Sequence, residues 1–424
     1  MTPNFSSERG QAVVLLVLAM IALMGFTALA VDGSMLYSDR RYAQMTSDSA
    51  AMAGASVAAQ ELDKNGATYT NWDCQSSAVT KAAKKASQAA VNSAQANGVT
   101  IDLDIADRNG VSTQCGVDMS KGYRDPYLDI LTQVTLQTQT GFAHFVNSSL
   151  ASNTVEAVAR VRPRSPLAFG YAIVALNPAD CQGMNTGAEF HGTQNIYVSK
   201  GGIFTNGCLR GVGNQSTIVT DASIHYRSDY RNEGGSSFNP APQKITFKIS
   251  PADYAIPEPN CDHPNAHHID GKDLRGNLAP GLYCVDGQAT INAHDTLIGF
   301  GVTIVMLNDR LQINGKATVQ LTAPASSPDP SPAIPGVVIY APPDTNYKAI
   351  NQNGIHLNGN SDSFFSGVVL APALDVFVNG TSRNDAYLTQ IIGWNVQVGG
   401  TADTWVLFNQ SVLHQKLPAV ELHR

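Results

Sequence analysis

From Ala12 to Val31 the chain runs for 20 residues without a charge. No polar face interrupts this run at helical spacing, as the amphipathic helix of a soluble core would require. As a helix rising 1.5 Å per residue it would be about 30 Å long, the thickness of a bilayer's hydrocarbon core. The pattern therefore predicts a single membrane anchor, with Ala12, Leu16, Met20, Leu23, Phe26 and Val31 among its residues. A cleaved export signal is the competing reading, because Ala28-Leu29-Ala30 is a small-x-small pattern of the kind signal peptidase cuts. The charged region before the run is weak, with Arg9 offset by Glu8. Helix-compatible sequence also continues past the run, so the span is expected to stay in the mature protein. Ser34–Lys64 has no proline and a single glycine, Gly54. Small residues recur there at Ala43, Ser47, Ala50, Ala51, Gly54, Ala55 and Ala58, and such positions let another helix approach closely.

Later segments change period. Gln75–Gly98 reads as a helix, with Ser76 or Ser77 able to cap its start and Gly98 its end. Val99–Asp107 alternates, with Ile101, Leu103 and Ile105 on one face and Asp102 and Asp104 on the other. Tyr127–Gln137 and Thr154–Arg162 are further strand candidates, with a short helix at Gly141–Ser149 between them. After Pro3 no proline occurs until Pro126, and nineteen follow it. Long helices are thus expected early, with short strands and turns in the Pro-, Gly- and Asn-bearing remainder.

That remainder carries a repeat. Turn positions recur at His191, Gly213, Asn292, Asn314, Asn358, Asn379 and Gly399, mostly 20 to 22 residues apart. The step of 44 from Asn314 to Asn358 reads as two periods, with its midpoint at Gly336. A second landmark, a glycine followed by an apolar run, recurs at Gly170, Gly202, Gly281, Gly301, Gly336 and Gly367. Short apolar strands with Gly/Asn corners at this period suggest a parallel β-helix. In it Val338 and Val369 would take equivalent inward positions. An irregular β-sandwich, with antiparallel pairing, is the alternative. The expected class is mixed: an N-terminal transmembrane and extended helix (1–64), a small α/β segment (65–163), then a mainly-β solenoid (164–412). Loop insertions are expected near 226–280, 324–335 and 343–354.

Composition narrows function. The net charge is −7 and no Lys/Arg block occurs, which argues against nucleic-acid binding. The six cysteines form no Cys-x-x-Cys. An even number in an exported body predicts disulfides, and proximity suggests Cys74 with Cys115, Cys181 with Cys208, and Cys261 with Cys284. The stretch "CDHPNAHHIDGKD" offers His263, His267, His268 and Asp270 as a weak metal candidate, although Pro264 forbids an ordinary helix there and exposed polar loop residues explain it as well. Asp102, Asp104 and Asp107 do not complete a calcium loop, because Ala106 breaks the alternate spacing. No phosphate-binding loop, nucleophile elbow or His-Glu-x-x-His motif occurs. Asp286, Asp295, Asp309 and Lys316 are the residues a β-helical carbohydrate enzyme would need, but no motif joins them. No enzymatic activity and no cofactor are expected.

The N-terminal residues Gly10-Gln11-Ala12, the apolar helix, Asp32-Gly33, Arg40 or Arg41, Gln44, and then Asp48, Ala50, Ala51, Ala53, Gly54 and Ala55 resemble the TadE/TadG-like proteins of Tad (Flp) pilus assembly. The resemblance covers about the first 55 residues; the run that ends in the strand before Pro163 also looks like the periplasmic part of such proteins. It implies a single-pass bacterial envelope protein, its bulk outside the cytoplasm, whose partners are the membrane and other pilus or secretion-system subunits. Two departures stand out. Type IV prepilins carry Glu at the fifth position after the cleaved Gly, where this chain has Leu15. The Asp-x-Ser-x-Ser metal motif of larger relatives is incomplete, because Asp32-Gly33-Ser34 is followed by Met35 and Leu36. The projecting module is expected to serve adhesion or assembly, and a surface-polysaccharide adhesin is the alternative.

Overall fold

The computed structural model describes residues 9–105, 107–139, 141, 151–182, 187–307, 310–325, 332–343, 354–380 and 385–423, with side chains from Val13 onward. The expected helix at Gly141–Ser149 and the candidate Asp309 lie almost wholly outside these residues. Two compact units divide the chain. One holds residues 1–118, 125–164 and 418–424, the other 119–124 and 165–417.

In the first unit one continuous helix, α1 (Arg9–Lys64), supplies both the apolar run and the small-residue run. It is followed by α2 (Ser77–Ala96), whose start is capped by Ser76 accepting from the Val79 N–H. Gly98, in the left-handed region at φ 75°, follows its end. Both helices pack with a sheet of β1 (Gly110–Asp118), β2 (Asp125–Thr138), β3 (Ala151–Arg162) and the strand Ala419–His423, all antiparallel neighbours in that order. Alanines of α2 at positions 82, 86, 90 and 94 are fully buried, so the helix offers its partner a smooth, shallow face. Val99–Asp107 is not the expected strand. Among its described residues only Asp102 bridges to the sheet, opposite Gly110, and Leu103 is exposed. The edge place beside β2 goes instead to β1, whose apolar content is too low for its alternation to stand out. Bidentate Arg160–Asp129, at 2.8 Å for each pair, ties β3 to β2 across a register position.

The second unit consists mostly of parallel-strand sheets. Strands at the glycine landmarks lie side by side: Tyr171–Ala175 with Gly202–Thr205, Gly281–Asp286 with Val302–Met306, and Val337–Tyr340 with Phe364–Ala371, which holds Gly367 inside it. Gly301 shows why the landmark is glycine: it turns the chain with φ 73°, a conformation L side chains rarely adopt. The corner landmarks end the strands of a second, eight-stranded parallel sheet. Its strands include Ala289–Ile291, Leu311–Ile313, Gly354–Leu357, Asp375–Asn379, Val396–Gly399, Ala188–Phe190 and Leu209–Gly211. Among the described residues twelve strand pairs join residues 20 to 22 positions apart in sequence. Val338 and Val369 are both fully buried on neighbouring parallel strands. A bulge at Val338 puts Ile339, not Val338, opposite Val369.

Two expectations about the repeat are corrected. The step of 44 is a single period, since Leu311 pairs directly with Ile355; the extra length lies in the segments around 324–335 and 343–354. Residues 226–280 are not one long loop. They carry strands Tyr230–Asn232, Ser237–Asn239, Gln243–Lys244, Ala266–Asp270 and Gly276–Leu278, each paired in parallel. Exposed polar residues on these short strands hide their period. Sheet order explains the break in spacing. Val396–Gly399 pairs with Ala188–Phe190, so the last repeats stack on the first. The chain thus enters in the middle of the stack and builds outward to Lys244. Residues 245–265 then cross to its other end, and the repeats return to meet the start. Ser165–Pro166 and Gln415–Lys416 pair antiparallel where the unit opens and closes.

Candidate membrane anchor and its folded collar

The first half of α1 exposes its large apolar side chains: Leu16, Met20, Leu23 and Phe26 are 60%, 49%, 65% and 71% accessible. The 18-residue apolar window of this helix has no buried share, and by length and composition the helix is able to cross a membrane. Asp32, 5% exposed, is the first described residue of the helix to be buried, although Met35 and Tyr37 beyond it are exposed and continuous burial starts only at Ala43. Its Oδ1 accepts a hydrogen bond from the Gly141 N–H at 2.7 Å. One turn on, Leu36 O accepts from Asn153 Nδ2 at 3.3 Å, and Asp39 Oδ2 accepts from Thr138 Oγ1 at 2.7 Å. These bonds fasten the helix to the ends of β2 and β3 directly beyond the apolar run.

Further along, the small residues do their packing within the chain. Ala43, Ser47, Ala50, Ala51, Ala55 and Ala58 are fully buried. Ser47 and Thr132 exchange hydrogen bonds: Ser47 Oγ donates to Thr132 O at 3.0 Å, and Thr132 Oγ1 to Ser47 O at 2.9 Å. At Gly54 a Cβ would lie 2.8 Å from Ala86 O and 3.1 Å from Ile130 Cγ2, so α2 and β2 close on the helix there from two sides. Glu61, at the far end, bonds Lys85 Nζ at 2.5 Å and lies 3.9 Å from Lys81 Nζ. The Lys85 hydrogen bond holds its carboxyl below the usual range against opposing desolvation, with Lys85's charge, Asn65 and Lys81 assisting. The helix that approaches the small-residue face is therefore α2. Thr132, Thr138 and Gly141 were not legible as partners, because nothing local in β2 marks them.

The cysteines pair as proximity suggested: Cys74–Cys115, Cys181–Cys208 and Cys261–Cys284. The last pins the segment that crosses the stack. The weak metal candidates do not converge. His267 and His268 are successive residues of a strand and so point to opposite faces. His267 stacks on Tyr283 with centroids 4.7 Å apart, and His268 Nε2 is 2.7 Å from Cys261 O. His263 Nδ1 accepts from the Asn265 N–H, and Asp270 pairs with Lys272 at 3.0 Å. Among the described residues no group of three His, Cys, Asp or Glu could hold a metal ion. Asp286 ends Gly281–Asp286, whereas Asp295 and Lys316 sit in turns beyond Ala289–Ile291 and Leu311–Ile313, so a strand of the second sheet separates them.

An apolar helix able to span a bilayer, continuous with a helix-on-sheet unit whose core starts at Ala43 of the same helix, defines a class: a membrane-associated protein with a single candidate N-terminal span. Within that class, residues 10–59 match the family model described as "Putative Flp pilus-assembly TadE/G-like". No curated protein and no solved structure matches the chain.

Proposed function

We propose that the protein is a membrane-anchored structural or assembly component of a Tad (Flp, type IV-like) pilus or secretion system, with no catalytic role. The observation that carries this reading is that three features share one helix, α1. The exposed apolar run, the family match and the small-residue core face from Ala43 fall on one uninterrupted helix. Residues 12–31 anchor it, and the rest of the chain lies on the extracytoplasmic side, where its three disulfides persist. The second unit is a parallel β-helix of three short strands per turn, projecting as a rigid module for adhesion or assembly. Its parallel pairing at 20–22 residues supports this. Mass spectrometry of the membrane fraction tests the anchor, with a mature amino terminus before Ala12 expected; a terminus at Val31 would overturn it. Co-purification with pilin-type subunits from the native membrane tests the assembly role, and a chain that purifies alone would refute it.

A second reading, a surface polysaccharide adhesin, is favoured by aromatic pairs on side chains that alternate with the buried ones. Tyr197 stacks on Trp405 at 4.0 Å and His356 on Phe377 at 4.2 Å. Flat paired rings suit the apolar faces of sugars. Retention on immobilised polysaccharide that Trp405→Ala abolishes would favour this reading over the first.

A further inference from the structure

The eight-stranded parallel sheet carries a ladder of unlike residues. His356, Phe377, Gln397, Glu189, Arg210 and Arg231 stand in register, one from each of six neighbouring strands. Val376 and Val378 flank Phe377, Val396 and Val398 flank Gln397, and all four valines are buried. Alternation therefore puts the ladder on the face turned away from the core. At about 4.8 Å per strand its six members span about 24 Å. One part of the ladder is flat and apolar. His356 and Phe377 stack with centroids 4.2 Å and planes 10° apart. Burial, and then the charge of Arg310, hold His356 below its ordinary value, so the ring is uncharged at neutral pH. The next part is polar and incompletely bonded. Gln397 is 8% exposed. Among the described residues its Nε2, Arg210 Nε and His191 Nδ1 are buried with no hydrogen-bond partner. His191 sits beside the ladder, two residues on from Glu189, where a Cβ on Gly399 would lie 2.7 Å from its Nε2. Three such atoms on or beside three neighbouring strands are a concentration that folding does not reward, since each forfeits its bonds to water. The guanidinium groups are balanced. Arg210 pairs with Glu189 at 3.4 Å and Glu233 at 2.7 Å, and Arg231 lies 3.7 Å from Asp229.

We propose that this face binds an uncharged polysaccharide laid across the strands, with one pyranose ring on the Phe377–His356 pair and the hydroxyls of the next sugars bonded to Gln397 Nε2 and the Glu189 carboxylate. A flat ring pair suits the apolar face of a sugar. A hydroxyl both donates and accepts, so an unpartnered N–H beside a carboxylate suits it as well. The terminal torsion of glutamine is soft, which lets the Gln397 amide turn toward a chain lying over it. With each ladder arginine balanced by a carboxylate, no net cation favours a polyuronate. The inference rests on the polysaccharide reading above and deepens it, naming the kind of polymer and placing it on this sheet rather than at Tyr197 and Trp405 on the larger one. It does not rest on the pilus reading, since its test needs no other subunit.

The test runs the full chain, in a detergent without a sugar headgroup, through native gels that hold hydroxyethyl cellulose, laminarin, mannan or polygalacturonate. At least one of the three neutral polymers should retard the protein, and polygalacturonate should not. Phe377→Leu keeps bulk but removes the flat face, and should weaken the retardation by about tenfold. Gln397→Leu should weaken it by about fivefold, the scale of one hydrogen bond. The same variant should unfold at the wild-type midpoint or above it, because it removes an amide buried without a partner; a residue kept only for the fold would lower the midpoint and leave the retardation alone. Passage unretarded through all three neutral gels, stronger retardation by polygalacturonate, or wild-type retardation of both variants would each overturn the proposal. Loss of retardation in Trp405→Ala, with both ladder variants still retarded as the wild type is, would overturn this site and leave the polysaccharide reading standing.

Discussion

The two halves of α1 form one helix and obey opposite rules. Between Val13 and Val31 the large side chains are apolar and exposed; between Ala43 and Leu62 the buried ones are mostly small. The first half has no packing partner among the described residues, so bulk is unrestricted there and hydropathy is what matters. The second half is enclosed by α2 on one side and by β2 and β3 on the other. Side-chain volume there fixes how closely three elements approach. Asp32 marks the changeover, as the first polar side chain whose hydrogen bond is made by the folded unit.

The largest test of this contrast is to place charge in the first half. Met20→Arg with Leu23→Arg should cost roughly 5 to 7 kcal/mol of membrane insertion, since each arginine near a span's centre costs about 2.5–3.5. The variant should leave the membrane pellet while the unfolding of the first unit stays as it was. Retention in the pellet would mean that something other than lipid contact holds the chain there.

The converse substitution is Gly54→Leu. The Cβ alone would crowd Ala86 O and Ile130 Cγ2, and the remaining carbons would have to part the two elements. A loss of about 3 kcal/mol in denaturant unfolding is expected, with membrane association unchanged. A wild-type midpoint would show that the close approach is not maintained in solution. A smaller effect is expected of Ser47→Ala, which removes the donor to Thr132 O in a buried position. About 1 kcal/mol is the scale of one such bond.

Legibility followed the same division. The anchor could be read because lipid asks only for a length and an absence of charge, both of which are local. Small residues at Ala43, Ser47, Ala50 and Gly54 announced a packed face but not what covers it, because the covering groups Ala86, Ile130 and Thr132 lie far along the chain. In the second unit the repeat was visible wherever a strand buries its whole width, as Val302–Met306 does. It was invisible at Ser237–Asn239 and Gln243–Lys244, where polar, exposed residues make ladder bonds that any side chain permits. The order of stacking was beyond sequence spacing altogether. Nothing in the local pattern says that Val396 pairs with Ala188. The crossing segment 245–265, with its prolines and its cysteine, reads as a loop whether it dangles or spans the stack.

Protonation offers the finest distinction. No titratable side chain lies between Val13 and Val31, so the anchor's behaviour should not change with pH. The second half ends at Glu61, whose carboxyl is held below its ordinary value of 4.5 chiefly by the Lys85 hydrogen bond. A carboxyl more acidic in the folded than in the unfolded state lends stability that is complete above the unfolded value. That stability is lost as the pH falls through the folded one. The first unit should therefore unfold more easily as the pH drops below about 4.5, and Glu61→Gln should flatten that part of its stability profile while leaving the anchor's membrane partition level across the same range. Parallel acid profiles for the wild type and Glu61→Gln would show that the Lys85–Glu61 contact contributes nothing to the end of the helix. A membrane partition that shifted with pH would break the division between the two halves, since the first half has no group able to respond.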